Sequence, residues 1–111
     1  MHGICKQAPK LNLELVREIN SISKVPLVMH GASGLSDGDI RASIAAGITK
    51  INYYSDIAYS TAKRIQEKLN QNEKPSYYHD IITWGLNYMI EQICSKIRLF
   101  GSNNRIEIKE K

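Results

Sequence analysis

The chain has 111 residues, a formal net charge of +4 and an isoelectric point near 9.1. No apolar run reaches the roughly 18 residues that a membrane span needs, so we expect no membrane partner. The basic residues are scattered rather than interleaved with aromatic residues, which argues against nucleic-acid binding. Cys5 and Cys94 lie far apart, and residues 1–3 do not open a signal peptide, so we expect free thiols and a cytoplasmic protein.

A loop, a helix and a strand are predicted in the first thirty residues. Residues 1–10 have the pattern of a loop, and Asn12 opens a helical pattern with its apolar residues on one face. Pro26 ends that helix, because the residue before a proline avoids the helical region. The apolar run Leu27 to Met29 predicts a strand covered on both faces, as in parallel sheets.

A turn, a second helix and a second strand follow. Residues 31–34 are predicted to form the turn, and Ser36 is a good helix N-cap with Asp39 three residues later. The helix is expected to run to about Ala46, where Gly47 supplies the stop. Residues 48–52 are predicted to form the second strand, and the helical crossover makes the two strands parallel.

Two helices complete the predicted order. Asp56 lies in the first turn of the third helix, and residues 70–76 form a polar connection. The fourth helix is expected over 77–100 with a weak point at Gly85, and residues 101–111 form a polar tail. The fold class is therefore α/β, and its two strands are too few to cover the apolar faces of these helices.

The candidate site lies where the two strands end, because chemistry in parallel α/β folds gathers at the carboxyl ends of strands. Backbone amides after the first strand could form an anion-binding nest, and the free amides of the third helix could bind the same phosphate. An ordinary tight turn is the alternative for the glycine-containing segment. The candidate residues are His30, Gly31, Ala32, Ser33, Asn52, Tyr53, Tyr54 and Ser55.

Two histidines next to glycine, His2 and His30, are the candidate metal ligands. Neutral imidazole is the commonest protein ligand for metals, and a catalytic zinc takes three protein ligands and keeps one open position. A histidine satisfied within the core is the alternative for either residue. His79 opens the last helix and is expected at the surface.

The residues just described carry a family resemblance. The segments 2–11, 26–34, 50–56 and 96–105 together resemble the class II ketose-bisphosphate aldolases, which include fructose- and tagatose-bisphosphate aldolases. The resemblance implies that residues 1–111 form the C-terminal part of a (β/α)8 TIM barrel. That part comprises the end of strand 6, strands 7 and 8 and the C-terminal helices.

The resemblance also implies roles for individual residues. His2 and His30 match two of three histidines that bind one Zn²⁺, and Gly3 matches a glycine whose backbone meets the substrate. The segment 31–33 matches the phosphate loop after strand 7. Residues 52–55 match the segment after strand 8, which holds the substrate and its phosphate. The catalytic aspartate of the family has no counterpart here.

The resemblance implies an enzyme that cleaves a ketose 1,6-bisphosphate into dihydroxyacetone phosphate and glyceraldehyde 3-phosphate, and that runs the reverse condensation. We expect the isolated chain to be inactive, because the family's proton-transferring aspartate and first zinc histidine lie earlier in the barrel. A homo-oligomer or the N-terminal half of the barrel is the expected partner. One alternative is an inactive remnant that serves as a phosphate-binding or assembly module, and another is an unrelated small α/β domain.

Overall fold

The computed structural model describes residues 11–71, 76–103 and 105. Within them, helices and strands follow one another in the predicted order, which confirms the α/β class. The elements are α1 (Leu13–Ile22), β1 (Leu27–Met29), α2 (Asp37–Ala45), β2 (Ile48–Ile51), α3 (Ser55–Gln71) and α4 (Tyr78–Leu99). The predicted loop at 1–10 and most of the predicted tail lie outside the described residues.

The two strands pair in parallel, as the crossover predicts. Val28 aligns with Lys50 and Met29 with Ile51, and the backbone amide of Asn52 donates to the Met29 carbonyl at 3.0 Å. That last hydrogen bond carries the pairing one residue past the end of β2. The carboxyl ends of β1 and β2 therefore lie side by side.

Side-chain caps set where the first two helices begin. Asn12 Oδ1 accepts a hydrogen bond from the Leu15 amide at 3.1 Å, which fixes the start of α1. Ser36 Oγ accepts from the Asp39 amide at 3.1 Å and donates to Asp39 Oδ2 at 2.7 Å. The Ser36 cap was predicted from the sequence, and Asn12 was predicted to open the helix. Each side chain satisfies an amide that the first turn of a helix leaves without a backbone partner.

Gly47 turns the chain from α2 into β2. Its φ of +119° lies in the left-handed region, and its amide donates to the Ile44 carbonyl at 3.0 Å. A Cβ at this position would lie 2.4 Å from Cγ of Asn20 in α1. The predicted helix stop is therefore confirmed, and the glycine is needed both for its backbone conformation and for the close approach of α1.

Helices α3 and α4 form the main helix pair of the described structure. Gln92 joins them through Ser60 Oγ at 2.5 Å and Thr61 Oγ1 at 3.0 Å, and Thr61 is buried. The predicted weak point at Gly85 is wrong, because α4 runs without interruption through it. A Cβ on Gly85 would lie 3.3 Å from Ile65 Cδ1, so the residue serves close helix packing.

One face of the sheet is left uncovered by the described elements. Val28 in the middle of β1 is 46% exposed, although the sequence predicted a strand covered on both faces. Among the described residues, the helices leave the Val28 side of β1 without a layer, so these elements do not supply the predicted cover on that face. The radius of gyration, 18.0 Å, exceeds the roughly 13 Å typical of a compact domain of this length.

None of the helices in the described ranges is long and apolar enough to cross a membrane. Cys94 is an exposed free thiol on α4, as predicted, whereas Cys5 lies outside the described residues.

Candidate functional site

A cavity of about 300 Å³ opens at the carboxyl ends of β1 and β2. Its lining combines residues that follow one strand with residues that follow the other. The lining residues are His30, Gly31, Ser33, Asn52, Tyr53, Tyr54 and Ser55. The structure thus brings together the two groups that the sequence placed at neighbouring strand ends, and Ala32 lies fully buried beside them.

His30 and Asn52 meet across the two strand ends. The side-chain amide nitrogen of Asn52, Nδ2, lies 3.1 Å from His30 Nδ1 and 3.3 Å from His30 Nε2. Because the two distances are nearly equal, the amide nitrogen lies against the ring between the two nitrogens. The contact limits how the imidazole can rotate in the cavity.

Lys50 fixes which end of the Asn52 amide faces His30. The Lys50 ammonium donates to Asn52 Oδ1 at 2.6 Å. An ammonium has donors only, so it holds the amide oxygen and leaves the amide nitrogen for the imidazole. Lys50 and Asn52 are two residues apart and therefore share one side of the strand. Lys50 was not among the residues predicted for the site, although its period-two spacing from Asn52 is a signal that could have placed it there.

The turn after β1 is shaped by its backbone. Gly31 has a φ of +72°, a conformation that favours glycine, and no atom lies within 4 Å of the Cβ it lacks. Ala32 is buried, which holds the turn against the rest of the molecule. Ser33 Oγ lies 3.5 Å from the Asp56 amide in the first turn of α3. The turn after β1 therefore borders the N-terminus of α3.

The segment after β2 is held by side chains. The Tyr53 hydroxyl donates to Asp56 Oδ2 at 2.7 Å, and its ring lies edge-on to Phe100 with a centroid separation of 6.0 Å. The Lys96 ammonium lies 4.9 Å from the centroid of the same ring. Burial first, and then the hydrogen bond to Asp56, raise the pKa of the Tyr53 hydroxyl above its ordinary value. Asp56, like Lys50, was not among the residues predicted for the site.

Helix α3 begins at the edge of the cavity. The Tyr54 carbonyl accepts from the Ala58 amide at 3.0 Å, and Ser55 is the first residue of the helix. The side chain of Tyr54 is 70% exposed. The first amides of a helix lack backbone partners and carry its positive dipole end, so this edge of the cavity favours an anion.

His30 is suited to metal binding by its chemistry and its place. It is an imidazole at a strand end that lines the cavity, and neutral imidazole is the commonest protein ligand for metals. Within the described ranges, no three side chains of histidine, cysteine, aspartate or glutamate gather as a metal site. The second predicted ligand, His2, and the predicted substrate contact Gly3 lie outside the described residues.

Known proteins resemble this chain over nearly its whole length. It is 35% identical over 106 residues to the uncharacterized protein YdjI of Escherichia coli K12, covering 96% of this chain and 36% of YdjI. It is 37% identical over 106 residues to a sulfofructosephosphate aldolase of Alkalicoccus urumqiensis, covering 94% of this chain and 36% of the relative. The chain thus spans little more than a third of the length of these curated relatives.

The fold agrees with that similarity. The crystal structure of the YdjI aldolase from Escherichia coli K12 matches with a TM-score of 0.79 and 34% identity, over 95% of this chain and 39% of that structure's chain. The family model for class-II fructose-bisphosphate aldolase matches residues 1–105. The chain therefore belongs to the class-II fructose-bisphosphate aldolase family.

Proposed function

We propose that this chain supplies the substrate-phosphate site and two zinc ligands of a class II aldolase that cleaves a ketose 1,6-bisphosphate. The observation that carries the proposal is the cavity at the two strand ends, which holds His30, the small-residue turn and the start of α3 together. The products would be dihydroxyacetone phosphate and glyceraldehyde 3-phosphate. The sulfofructosephosphate aldolase among the relatives supports a phosphorylated ketose as the substrate class.

The proposed phosphate position lies between the two strand ends. Amides of residues 31–33 and the Ser33 hydroxyl would donate to the phosphate oxygens from one side. Ser55 and the N-terminal amides of α3 would donate from the other. Binding the phosphate at two points would hold the reacting carbons in place, which converts binding energy into orientation.

The proposed metal ligands are His30 and His2, with a third histidine from outside this chain. Bound Zn²⁺ supplies Lewis-acid polarisation of the substrate carbonyl. The Asn52 side-chain nitrogen would limit the rotation of the His30 ring, and Lys50 holds the Asn52 side-chain oxygen away from that ring. The proton of the substrate hydroxyl would go to an aspartate that this chain does not supply.

We further propose that residues 1–111 take the place of the last β/α units of a (β/α)8 barrel. The uncovered face of the sheet, with Val28 and Lys50 side by side on it, supports this arrangement. In a closed barrel that face would become the interior, because side chains of alternate strands fill the barrel centre. The isolated chain is expected to have no aldolase activity.

The proposal is tested by producing the chain together with the part of the Escherichia coli YdjI protein that it does not match. We expect the assembled pair to cleave a fructose, tagatose or sulfofructose phosphate, and EDTA to abolish the activity. The matched variants are His30→Ala, which should be inactive, and His79→Ala, which should keep full activity because His79 is exposed on α4, outside the cavity. Cleavage by the isolated chain, or activity retained in His30→Ala, would contradict the proposal. So would an assembled pair that cleaves none of these substrates, a result that favours the alternative of an assembly module.

A further inference from the structure

Tyr53 lies between two cavities of different charge. It lines the cavity at the two strand ends, where none of the described lining residues is acidic. It also lines a second cavity of about 440 Å³, which we call the acidic cavity. The charged residues that line the acidic cavity are one lysine and three aspartates, Lys96, Asp37, Asp39 and Asp56. Tyr53 therefore separates a place suited to an anion from a group of carboxylates.

Asp56 has its backbone amide and its carboxylate in different surroundings. The amide lies 3.5 Å from Ser33 Oγ, and Ser33 lines the cavity at the strand ends. The carboxylate accepts a hydrogen bond from the Tyr53 hydroxyl at 2.7 Å, and Asp56 lines the acidic cavity. This division is important because aspartate side chains readily accept from nearby backbone amides at the start of a helix. In α3 those are the amides that we propose for the phosphate.

The ring of Tyr53 is fixed by the C-terminal end of α4. The Phe100 ring meets it edge-on with a centroid separation of 6.0 Å, and the Lys96 ammonium lies 4.9 Å from its centroid. Lys96 is itself held, because its ammonium lies 3.6 Å from Asp37 Oδ1 and its side chain is only 21% exposed. These contacts fix the position of the Tyr53 hydroxyl, and through it the position of the Asp56 carboxylate.

We propose that Tyr53 is a positioning residue of the phosphate site, whose hydroxyl holds the Asp56 carboxylate away from the cavity at the strand ends. The inference rests on the proposed function, since it concerns a phosphate bound by the first amides of α3. Without the Tyr53 hydroxyl, the Asp56 carboxylate is free to accept hydrogen bonds from those amides. It would then compete with the phosphate for its donors and repel its negative charge.

The affinity of Tyr53→Phe for a phosphorylated ligand measures the effect of the hydroxyl. Dihydroxyacetone phosphate is titrated into the full chain at neutral pH and followed by ³¹P NMR. We expect Tyr53→Phe to bind about three- to tenfold more weakly than the wild type, because only the hydroxyl that holds the carboxylate is lost. The matched control is Tyr59→Phe, which removes a hydroxyl from an exposed position on α3 and should leave the affinity unchanged.

Asp56→Asn separates the effect of the charge from any effect on folding. In the Tyr53→Phe background it removes the competing charge, so the affinity should return to within about twofold of the wild type. In the wild-type background it should change the affinity by less than about twofold, because the carboxylate is already held away. A residue that only supported the fold would show no such rescue, since Asp56→Asn takes away a further native group. A double variant that binds as weakly as Tyr53→Phe would contradict the proposal.

The same titrations distinguish this proposal from the proposed function. If neither the wild type nor Tyr59→Phe shifts the phosphorus signal, the phosphate site itself is wrong, and the role of Tyr53 is wrong with it. If the wild type binds and Tyr53→Phe binds equally well, the phosphate site stands and only the role of Tyr53 is overturned. Weaker binding in Tyr53→Phe together with recovery in the double variant is the result that the proposal predicts.

Discussion

The turns that follow β1 and β2 border the same cavity but are built in different ways. The turn after β1 depends on backbone conformation, with Gly31 at a φ of +72° and Ala32 buried behind it. The segment after β2 depends on side-chain contacts, which run from Lys50 through Asn52 to His30 and from Tyr53 to Asp56. The first turn can present amides to an anion, whereas the second orients the groups around it. Substitutions that change the backbone of the first turn should therefore act on stability, and substitutions of the orienting side chains in the second segment should act on zinc binding.

The largest effect is expected where the two segments meet, at His30. His30→Ala removes a proposed ligand altogether, so zinc binding by the active assembly should fall below detection while the fold is retained. His30 is exposed in the described structure, so its loss creates no cavity. Zinc content after dialysis, together with the circular dichroism spectrum, measures both quantities. Stoichiometric zinc in His30→Ala would show that the ligand assignment is wrong.

The segment after β2, which depends on side-chain contacts, is tested next by Asn52→Leu. This substitution keeps the size of the side chain and removes its hydrogen bonds. We expect zinc affinity to fall about three- to tenfold, because the His30 ring loses the contact that limits its rotation and must then be ordered when the metal binds. Lys50→Met should lower the affinity in the same direction but by less, because the amide remains and loses only its fixed orientation. Thr49→Ala on the same strand is the control. Unchanged affinity in Asn52→Leu would mean that the contact with His30 has no orienting role.

The turn after β1, which depends on backbone conformation, is tested by Gly31→Ala. No atom obstructs the added Cβ, so the expected cost of about 1–2 kcal/mol in unfolding free energy comes from left-handed backbone alone. Gly38→Ala in α2 is the matched control, because Gly38 has ordinary helical backbone and a Cβ there meets only Ser36 Oγ at 3.6 Å. It should stabilise by about 0.5–1 kcal/mol. Urea unfolding measures the free energy of unfolding of both variants. Equal changes in Gly31→Ala and Gly38→Ala would contradict the claim that Gly31 is needed for its left-handed backbone.

The smallest effect concerns the ionisation of Tyr53. Its pKa is raised above the ordinary value of about 10, first by burial and then by the hydrogen bond to Asp56. A raised folded-state pKa stabilises the fold below pH 10, and that contribution is lost as the pH rises through the folded-state value. Phenolate absorbance should therefore show a late phase that disappears in Tyr53→Phe. If Tyr53→Phe instead loses phenolate absorbance from the phase near pH 10, the raised pKa of Tyr53 is contradicted.

Much of the fold follows from local signals in the sequence. The caps at Asn12 and Ser36 and the stop at Gly47 act within a few residues, so their side-chain chemistry alone places the helix ends. The placement of residues 30–33 beside residues 52–55 also follows, because two parallel strands joined by one crossover end at the same edge.

Other features depend on contacts that no local pattern contains. Gly85 looks like a break in a helix, and only the approach of Ile65 from α3 explains it as a packing position. The Lys50 contact depends on how the Asn52 amide is turned, which His30 on the other strand decides. The exposure of Val28 depends on which layers are present, so its apolar character predicted a covered strand that the described elements do not provide.

The most direct test of the phosphate site is the affinity of the full chain for dihydroxyacetone phosphate, followed by ³¹P NMR. We expect a saturable shift of the phosphorus signal in the wild type and in the exposed control Ser95→Ala. We expect binding several-fold weaker in Ser33→Ala and in Ser55→Ala, each of which removes one hydroxyl from the cavity. Equal affinity in all four proteins, or no shift in any of them, would contradict a phosphate site at the two strand ends.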